Sequence, residues 1–442
     1  MNHRSRFMPS RLVTGALALI LVAGLAACGS NNNDVSSSAS GASSQGKEAS
    51  GKKVTVTFWN TFTGSDGDTL KEIVDGYNAK NEGKIEVKMD ILPADQFNQK
   101  LPPSIATSTA PSLVAMSPTS ASAFIQNGTL LPLDDFYATP GVNKADFEDS
   151  AIQLGQSGGK TYLLPMQVFG IQFYWNKDLF KAAGLDPEKP PADFNELADY
   201  AVKLTDASKN QYGFLMPIKG APQYYSIFVW GNGGDMVDVD AKQSVLNAPE
   251  NVKTFEWLAD LAVNKKVTPK GLNGVETDKL FLGGKAGMYI TGPWLAAGLK
   301  TNNVNFGVSL PPKGSAAQAT IADGVGFAVP KGTSDEERLA AYDFIGYWNS
   351  TEIAKEWSQK IGFPPYLKSV ADDPDIQADE TIKSMSNLGS AGRAFLPGIV
   401  NADRINSDVL FPLMEQIVSG LDPAAGVQKA SDAIDDILKT EK

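Results

Sequence analysis

A strand pattern, a tight turn and a tryptophan follow one another in Lys285-Ala286-Gly287-Met288-Tyr289-Ile290-Thr291-Gly292-Pro293-Trp294. The apolar run from Ala286 to Ile290 predicts a buried strand, which a tight Gly-Pro turn ends, with a tryptophan just beyond it. Ligands of open α/β sheets sit outside the carboxyl ends of strands, so Trp294 is a candidate platform for the apolar face of a sugar ring. The alternative from these residues alone is a core tryptophan that caps the sheet.

The rest of the chain alternates between strand and helix patterns around this stretch. Alternating or buried apolar runs predict strands at 54–59, 85–91, 113–116, 169–175 and 212–216, with amphipathic helices between them. This order is typical of an α/β fold with mainly parallel sheets, here repeated as two similar lobes. Two late helices are predicted from apolar faces: Leu339, Tyr342, Ile345 and Trp348 in one, and Val427, Ala430, Ile434, Ile437 and Leu438 in the other.

The loops after the first and third strands carry polar and aromatic residues. Asn60, Phe62 and Asp66 follow the first strand, and Ser117 follows the third. In a parallel sheet these loops lie on one side, so all four residues are candidate ligand contacts.

Length and charge limit the function classes. A chain of 442 residues predicts two or three domains, and its formal net charge is −11. Removing residues 1–27, which hold three arginines and no acids, leaves 36 basic and 50 acidic residues, a net charge of −14. A body this acidic repels nucleic acid and anionic lipid, so we expect neither as its partner.

The N-terminus has the pattern of an export signal. Arg4, Arg6 and Arg11 precede an apolar run that ends at Ala27, and Cys28, the single cysteine of the chain, follows directly. This pattern resembles the lipobox of bacterial lipoproteins, which implies cleavage after residue 27 and a lipid on Cys28. Residues 28–51 would then be the lipidated cysteine and a flexible Ser/Asn-rich tether. The predicted location is the outer face of the cell membrane, with the lipid as the only membrane contact.

Most catalytic chemistry is excluded for the processed chain. Its single histidine, His3, lies in the signal segment and Cys28 is lipidated, so neither Ser-His-Asp or Cys-His catalysis nor a His/Cys zinc site is available. We predict no metal and no cofactor. Carboxylates remain as the ordinary acid/base groups, so an enzyme with this sequence would resemble a glycosidase.

Several motifs resemble the family 1 extracellular solute-binding proteins of ABC importers, to which maltose-binding protein belongs. They are Tyr174-Trp175-Asn176-Lys177-Asp178-Leu179-Phe180 with Ala183-Gly184-Leu185, then Trp230-Gly231-Asn232-Gly233-Gly234, the run from Phe281 to Trp294, and Gly362-Phe363-Pro364. The motifs occur in the family's order, and with the lipobox the resemblance covers essentially the whole chain. It implies a two-lobed, periplasmic-binding-protein-like type II fold, with two doubly wound sheets, a hinge and a ligand cleft between them.

The resemblance also implies lobe boundaries and further ligand contacts. Lobe one would comprise 52–164 plus 322–368, and lobe two 165–321 plus 369–442. Asp323 stands where the family usually has glycine, near a crossing between the lobes, and is a candidate ligand contact. Residues at or near other positions that relatives place at the ligand are Phe169 with its neighbour Gln167, Gln223, Trp230, Trp294, and the late segment with Asn401, Asp403 and Arg404. Trp59, at the end of the first strand, is a further candidate, with burial as the alternative.

The sequence therefore predicts a monomeric, lipid-anchored receptor, not an enzyme. It would capture a sugar, in particular an oligosaccharide, and pass it to the permease subunits of an ABC importer. Three alternatives stay open: a receptor for a polyol or phosphorylated polyol, an exported glycoside hydrolase that uses two carboxylates, and a surface adhesin or sensor on the same fold.

Overall fold

The structure, a computed structural model, describes residues 53–219, 223–386 and 388–441. The predicted signal segment 1–27, Cys28 and the tether to residue 51 lie outside the described residues. The described segments belong to one compact unit. None of their helices is long and apolar enough to cross a membrane.

The strands alternate with helices, as the sequence predicts. The strands are β1 Val54–Asn60, β2 Ile85–Ile91, β3 Leu113–Met116, β4 Gln156–Ser157, β5 Lys160–Thr161, β6 Leu164–Gly170, β7 Gln172–Asn176, β8 Tyr212–Leu215, β9 Val237–Asp238, β10 Gln243–Ser244, β11 Ala286–Thr291, β12 Phe306–Ser309, β13 Thr320–Ala328 and β14 Gly392–Arg393. The α-helices are α1 Ser65–Lys80, α2 Ala94–Ala106, α3 Pro118–Gln126, α4 Asp149–Leu154, α5 Lys177–Ala182, α6 Phe194–Leu204, α7 Gln223–Gly231, α8 Pro249–Ala259, α9 Gly274–Leu282, α10 Leu295–Thr301, α11 Asp335–Trp348, α12 Thr351–Ile361, α13 Lys368–Ala371, α14 Pro374–Ala378, α15 Glu380–Ser386, α16 Ala402–Arg404, α17 Phe411–Val418 and α18 Pro423–Leu438.

The first sheet has the strand order β14-β13-β3-β1-β2, with β6 also paired to β13. β1 runs parallel to both β2 and β3. The loops that follow β1 and β3 therefore leave the same edge of the sheet, as predicted for Asn60 and Ser117. The alternating residues Val56 and Phe58 of β1 are buried against α1 and α11, which build the core of lobe one.

The second sheet has the order β12-β7-β11-β8. β11 pairs with β7 on one side and β8 on the other, and all six of its residues are buried. This confirms the buried strand predicted from Ala286 to Ile290. A central strand covered on both faces by helices carries a continuous apolar run instead of an alternating one. This sheet and its helices form lobe two, with a separate apolar core.

The two lobes are joined by a ribbon of two antiparallel strands, β6 and β13. β6 leads from lobe one towards β7 of lobe two, and β13 returns from lobe two to pair with β3. We call this pair the crossing ribbon. The predicted lobe boundaries stay a prediction; after residue 368, Val370, Ile376 and Ile382 pack into the core of lobe one.

Of the two late helical faces, one is confirmed and one needs a correction. Every predicted residue from Val427 to Leu438 in α18 is buried. In α11, however, Leu339 is 59 % exposed, whereas Tyr342, Ile345 and Trp348 are buried. Steps of three residues turn an α-helix by about 300°, so a series of such steps drifts around the helix by about 60° each time. Leu339, the first residue of the series, is therefore rotated away from the buried face of the helix and lies towards solvent.

Candidate functional site

The turn after β11 places Trp294 half-buried at the edge of lobe two. Its ring lies over Gly292: a Cβ on Gly292 would come within 1.9 Å of the ring atom Cζ3. The hydroxyl of Tyr174, on the neighbouring strand β7, donates a hydrogen bond of 3.0 Å to the Gly292 carbonyl. The glycine thus permits the folded-back ring, and Tyr174 holds the turn beneath it.

The carboxylate of Asp278 on helix α9 also supports this turn. It accepts a hydrogen bond of 2.8 Å from the Tyr289 hydroxyl and further side-chain hydrogen bonds from Trp294 and Thr291. Burial nevertheless raises the pKa of Asp278 to about 6. The indole of Trp294 is therefore anchored inside lobe two, and its ring also packs against the apolar cores of both lobes.

The crossing ribbon presents Phe169 to Trp294. Their ring centroids are 5.7 Å apart with the planes at 82°, and Phe169 makes a second edge contact with Phe363 at 5.8 Å. In the ribbon Phe169 pairs with Asp323, and Gln167 pairs with Val325. Side chains of paired antiparallel residues, and of residues two apart, share a face. Phe169, Asp323 and Gln167 therefore share the face of the ribbon that meets Trp294, which we call the cleft face.

The row of rings continues into lobe one. Phe363 stacks near Trp357 with centroids 5.9 Å apart, and Trp357 stacks near Phe62 at 6.2 Å. Five rings thus connect the loop after β1 with the turn after β11. The predicted contacts Phe62, Phe169 and Trp294 all belong to this row. Nothing in the sequence distinguishes Trp357, because its helical spacing is that of an ordinary core residue.

The loop after β1 also carries the predicted Asn60 and Asp66. Asn60 is fully buried; its Oδ1 accepts the amide N–H of Phe62 at 3.0 Å, and its Nδ2 has no partner. Oδ1 of Asp66 accepts the amides of Gly64 at 3.2 Å and Gly67 at 2.9 Å. Burial raises the pKa of Asp66.

Ser117 and the segment around Asn401 meet where the lobes approach each other. Ser117 caps α3 by accepting the amide of Ser120 at 3.1 Å. The Ser120 side chain hydrogen-bonds the carboxylate of Asp403 in α16, so this contact joins the two lobes. The amide of Asn401 donates to Glu441 at 2.6 Å, whereas Arg404 is exposed, with its Nε 3.4 Å from Asp408.

Three predicted residues lie farther from this row. Trp230 is only 4 % exposed in the core of lobe two; its indole donates to Asp235 at 3.0 Å and the guanidinium of Arg393 lies 4.6 Å above its ring. Trp59 is half-buried and donates to Asp90 at 3.2 Å. Gln223 begins α7, but its side chain is outside the described part of the structure.

A cavity of about 780 Å³ lies beside the crossing ribbon, and Phe169 and Asp323 belong to its lining. Its lining includes Val168 and Ala322, whose positions alternate with those of Phe169 and Asp323. A Cβ on Gly170 would meet Leu388, which also lines the cavity, at 2.2 Å. The cavity therefore reaches two residues of the cleft face, Phe169 and Asp323, and Lys383 of α15 lines it as well.

Asp278 was not among the residues selected from the sequence. Asp278 lies next to the inward-facing Thr277 in α9, an unusual place for a carboxylate, and that is the one sequence signal for it. Within the described ranges, no three His, Cys, Asp or Glu side chains are placed to hold a metal ion.

Comparison with known proteins gives a consistent result. The model of the bacterial extracellular solute-binding protein family matches residues 72–384. The sn-glycerol-3-phosphate-binding periplasmic protein UgpB of Shigella dysenteriae is 28 % identical over 340 residues, which cover 72 % of this chain and 75 % of that protein.

Two solved structures show the same fold. A solute-binding protein of an ABC transporter from Agrobacterium radiobacter, in complex with ribitol, superposes with a TM-score of 0.79 at 25 % identity, covering 87 % of this chain and 98 % of that one. The maltose/maltodextrin-binding domain MalE of Bdellovibrio bacteriovorus, bound to maltotriose, gives a TM-score of 0.77 at 19 % identity, covering 87 % and 100 %. The predicted two-lobed type II fold is confirmed.

Proposed function

The chain belongs to the bacterial extracellular solute-binding protein family, and on that premise we propose that it captures an oligosaccharide outside the cell and delivers it to an ABC importer. The observation that carries the choice of a sugar is the ring of Trp294, which is half-buried at the end of β11 and hydrogen-bonded to Asp278. The apolar face of a pyranose stacks on such a surface, and its hydroxyl groups bond to polar groups around it.

An oligosaccharide is favoured over a single sugar because aromatic rings occur on both sides of the hinge. Phe62 belongs to lobe one, Phe169 to the crossing ribbon and Trp294 to lobe two. A ligand that reaches more than one of these elements binds best when the lobes are close together. Binding energy would then favour the closed form, which the permease subunits would recognise.

The family consists of binding proteins, so we propose a receptor without catalytic activity. We also propose that a lipid on Cys28 holds the protein at the outer face of the membrane and that the protein is a monomer. The expected site comprises the thirteen candidates named from the sequence, with Asp278, Phe363 and Asp403 added as their neighbours.

The phosphorylated polyol remains the second candidate, because UgpB is named for binding sn-glycerol-3-phosphate. A phosphate needs cationic or N–H donors in the cleft. Four carboxyl groups near the candidate site, Asp66, Asp278, Asp323 and Asp403, outnumber the one cation, Lys383, that lines the described cavity beside Asp323. This observation favours the neutral sugar.

A ligand screen tests the proposal. We would measure the thermal unfolding of the body from Lys52 onward with mono- and oligosaccharides, polyols and sn-glycerol-3-phosphate, and check each ligand for hydrolysis overnight. A ligand that binds only the folded state at 100 times its Kd stabilises it by about 2.7 kcal/mol. Stabilisation by an intact sugar supports the receptor. Cleavage of the sugar would favour a carboxylate-dependent hydrolase, and no response to any sugar would reject the proposal.

A further inference from the structure

The two lobes also meet directly outside the crossing ribbon, between the helices α3 and α16. α3 belongs to lobe one, because its Ala121 packs with Val114 and Met116 of β3. α16 belongs to lobe two, because Ala402 and the following Ile405 lie in the core of that lobe. Neither helix is part of the ribbon, so a contact between them exists only while the lobes are close together.

Two hydrogen bonds form this contact. The side chain of Ser120 hydrogen-bonds the carboxylate of Asp403. The hydroxyl of Ser122, two residues further along α3, donates to the carbonyl of Ile399 at 3.4 Å. Each bond joins a residue of lobe one to a residue of lobe two, so both bonds break when the lobes separate. We call the two bonds together the α3–α16 contact.

The N-terminus of α3 suits the carboxylate that it meets. Ser117 caps this helix, and its hydroxyl donates to the hydroxyl of Ser120 at 3.2 Å. Ser120 therefore lies in the first turn of α3, where the helix dipole favours a negative charge. The oxygen of Ser120 accepts from Ser117, and its own proton is available to donate to Asp403. A hydrogen bond to an ionised carboxylate is stronger than one between neutral groups.

The α3–α16 contact borders the space between the lobes. Ser122 and Ile399 both line a cavity of about 240 Å³, and Asp323 of the crossing ribbon lines the same cavity. Burial and the charge of Asp403 both raise the pKa of Asp323, so the two carboxylates repel each other when the lobes are close. Asp403 is thus attracted to lobe one by Ser120 and repelled by the ribbon. When two such effects oppose each other, the loss of one hydrogen bond can shift the balance.

We propose that the α3–α16 contact is a closure latch: it stabilises the closed arrangement of the lobes without binding the ligand. The closure itself is a property of the chain, and the effect on affinity rests on the proposed function. A ligand that binds the closed form has an apparent Kd equal to its intrinsic Kd divided by the closed fraction. Loss of the latch therefore weakens all ligands by the same factor, whereas loss of a ligand contact weakens most the ligands that use it.

The distance between two spin labels measures the closed fraction. The chain has one cysteine, so the full chain with Cys28→Ser can be labelled at Asp75→Cys on α1 of lobe one and Asp436→Cys on α18 of lobe two, where both side chains are exposed. Pulsed electron paramagnetic resonance without added ligand should show two distances, of which the one that matches the structure is the closed form. In Ser120→Ala the population of this distance should fall about threefold or more.

Three variants separate the latch from a general loss of structure. Ser208→Ala is the matched control, because Ser208 also hydrogen-bonds an aspartate, Asp206 at 2.6 Å, but within lobe two. It should leave the closed fraction unchanged. Ser120→Thr keeps the hydroxyl and should retain most of the closed fraction. In the background of Asp403→Ala, Ser120→Ala should have no further effect, because the two side chains act as a pair. Circular dichroism verifies the folding of each variant.

The inference is overturned if the closed distance is absent without ligand, or if it is equally populated in Ser120→Ala and in the unmodified chain. The Kd of each sugar or polyol that binds should rise by the same factor, about threefold or more, in Ser120→Ala. Factors that differ between ligands would make Ser120 a ligand contact and would contradict the latch. If no sugar or polyol binds, the proposed function fails, and the spin-label distances still decide the latch.

Discussion

The rings of Phe169 and Trp294 meet edge to face, with centroids 5.7 Å apart and planes at 82°. Phe169 belongs to the crossing ribbon and Trp294 to the turn after β11, so this contact connects the hinge directly to the candidate binding surface of lobe two. A ligand stacked on Trp294 would therefore act on the element about which the lobes move.

Trp294→Ala should remove the main stacking surface of the site. We expect the affinity for the sugar to fall about 30-fold or more, since buried aromatic anchors contribute about 2 kcal/mol or more to binding. Calorimetric titration measures the change. Trp257→Ala is the control: Trp257 is also half-buried in lobe two and stacks on Phe194 at 5.6 Å, but lies outside the site. An equal loss of sugar affinity in both variants would contradict a ligand-binding role for Trp294.

Gly292→Ala should displace the ring of Trp294. The added Cβ would lie 1.9 Å from Cζ3 of the ring, so ring or turn must move, at a cost of about 1–3 kcal/mol in the free energy of unfolding. We expect weaker sugar binding together with changed tryptophan near-UV circular dichroism. Gly274→Ala, where a Cβ meets nothing within 4 Å, should change neither signal. An unaltered spectrum in Gly292→Ala would show that the ring is not held over the turn.

The unliganded protein should become more stable as the pH falls from 7 to 5. The pKa values of Asp278 and Asp323 are about 6 in the folded chain and near 3.8 as ordinary values. A carboxyl group whose pKa is raised by folding stabilises the folded protein. This contribution is complete below the pKa that the group has in the unfolded chain, and it is lost as the pH rises through 6. Each group should contribute about 1 kcal/mol between pH 7 and pH 5. The pKa of the exposed Asp206 is lowered to about 2, so its opposite effect appears only at lower pH.

Chemical denaturation at both pH values measures this difference, and Asp278→Asn should reduce it. The described residues contain no histidine whose titration would interfere. Equal or lower stability at pH 5 would show that these carboxyl groups are not held in a raised-pKa environment.

The affinity for the sugar should fall as the pH falls from 7 to 5, whereas the stability of the unliganded protein should rise. The pKa of Asp323 is about 6, so this carboxylate is ionised in about one protein molecule in ten at pH 5. If the sugar hydroxyl groups donate to the ionised form, only these molecules bind the sugar well. We expect Kd to rise roughly tenfold between pH 7 and pH 5. Asp323→Asn cannot titrate, so its Kd should vary much less over the same range. A flat profile for the unmodified chain would exclude ionised Asp323 as the acceptor.

Local patterns in the sequence were sufficient for the elements of the fold. The buried run of β11 and the glycine before Trp294 are consecutive residues, and strand periodicity and turn chemistry act over such distances. The one misplaced helical residue, Leu339, shows the limit of this approach, because a spacing of three residues does not keep one face of a helix.

The site could be predicted only in part, because its contacts join distant segments. The sequence places Phe62 and Trp294 in loops, but it cannot show that Trp357 and Phe363 bridge them through Phe169. Nor does an isolated aspartate in α9 reveal that it will hold the indole of Trp294. Such contacts depend on the strand register and on how the lobes pack, which no single segment encodes.

Gln167→Leu should stabilise the unliganded protein and weaken sugar binding. The leucine replaces a buried Oε1 that has no donor, and removing such an atom should raise the free energy of unfolding by about 1 kcal/mol. The same change removes an acceptor for a sugar hydroxyl, so Kd should rise about five- to tenfold. Gln172→Leu is the matched control, because Gln172 is also buried, has an unpartnered Oε1 and lies in β7, within lobe two. It should stabilise the protein without changing Kd. If Gln167→Leu leaves Kd unchanged as well, the unpartnered oxygen on the crossing ribbon does not receive a ligand hydroxyl.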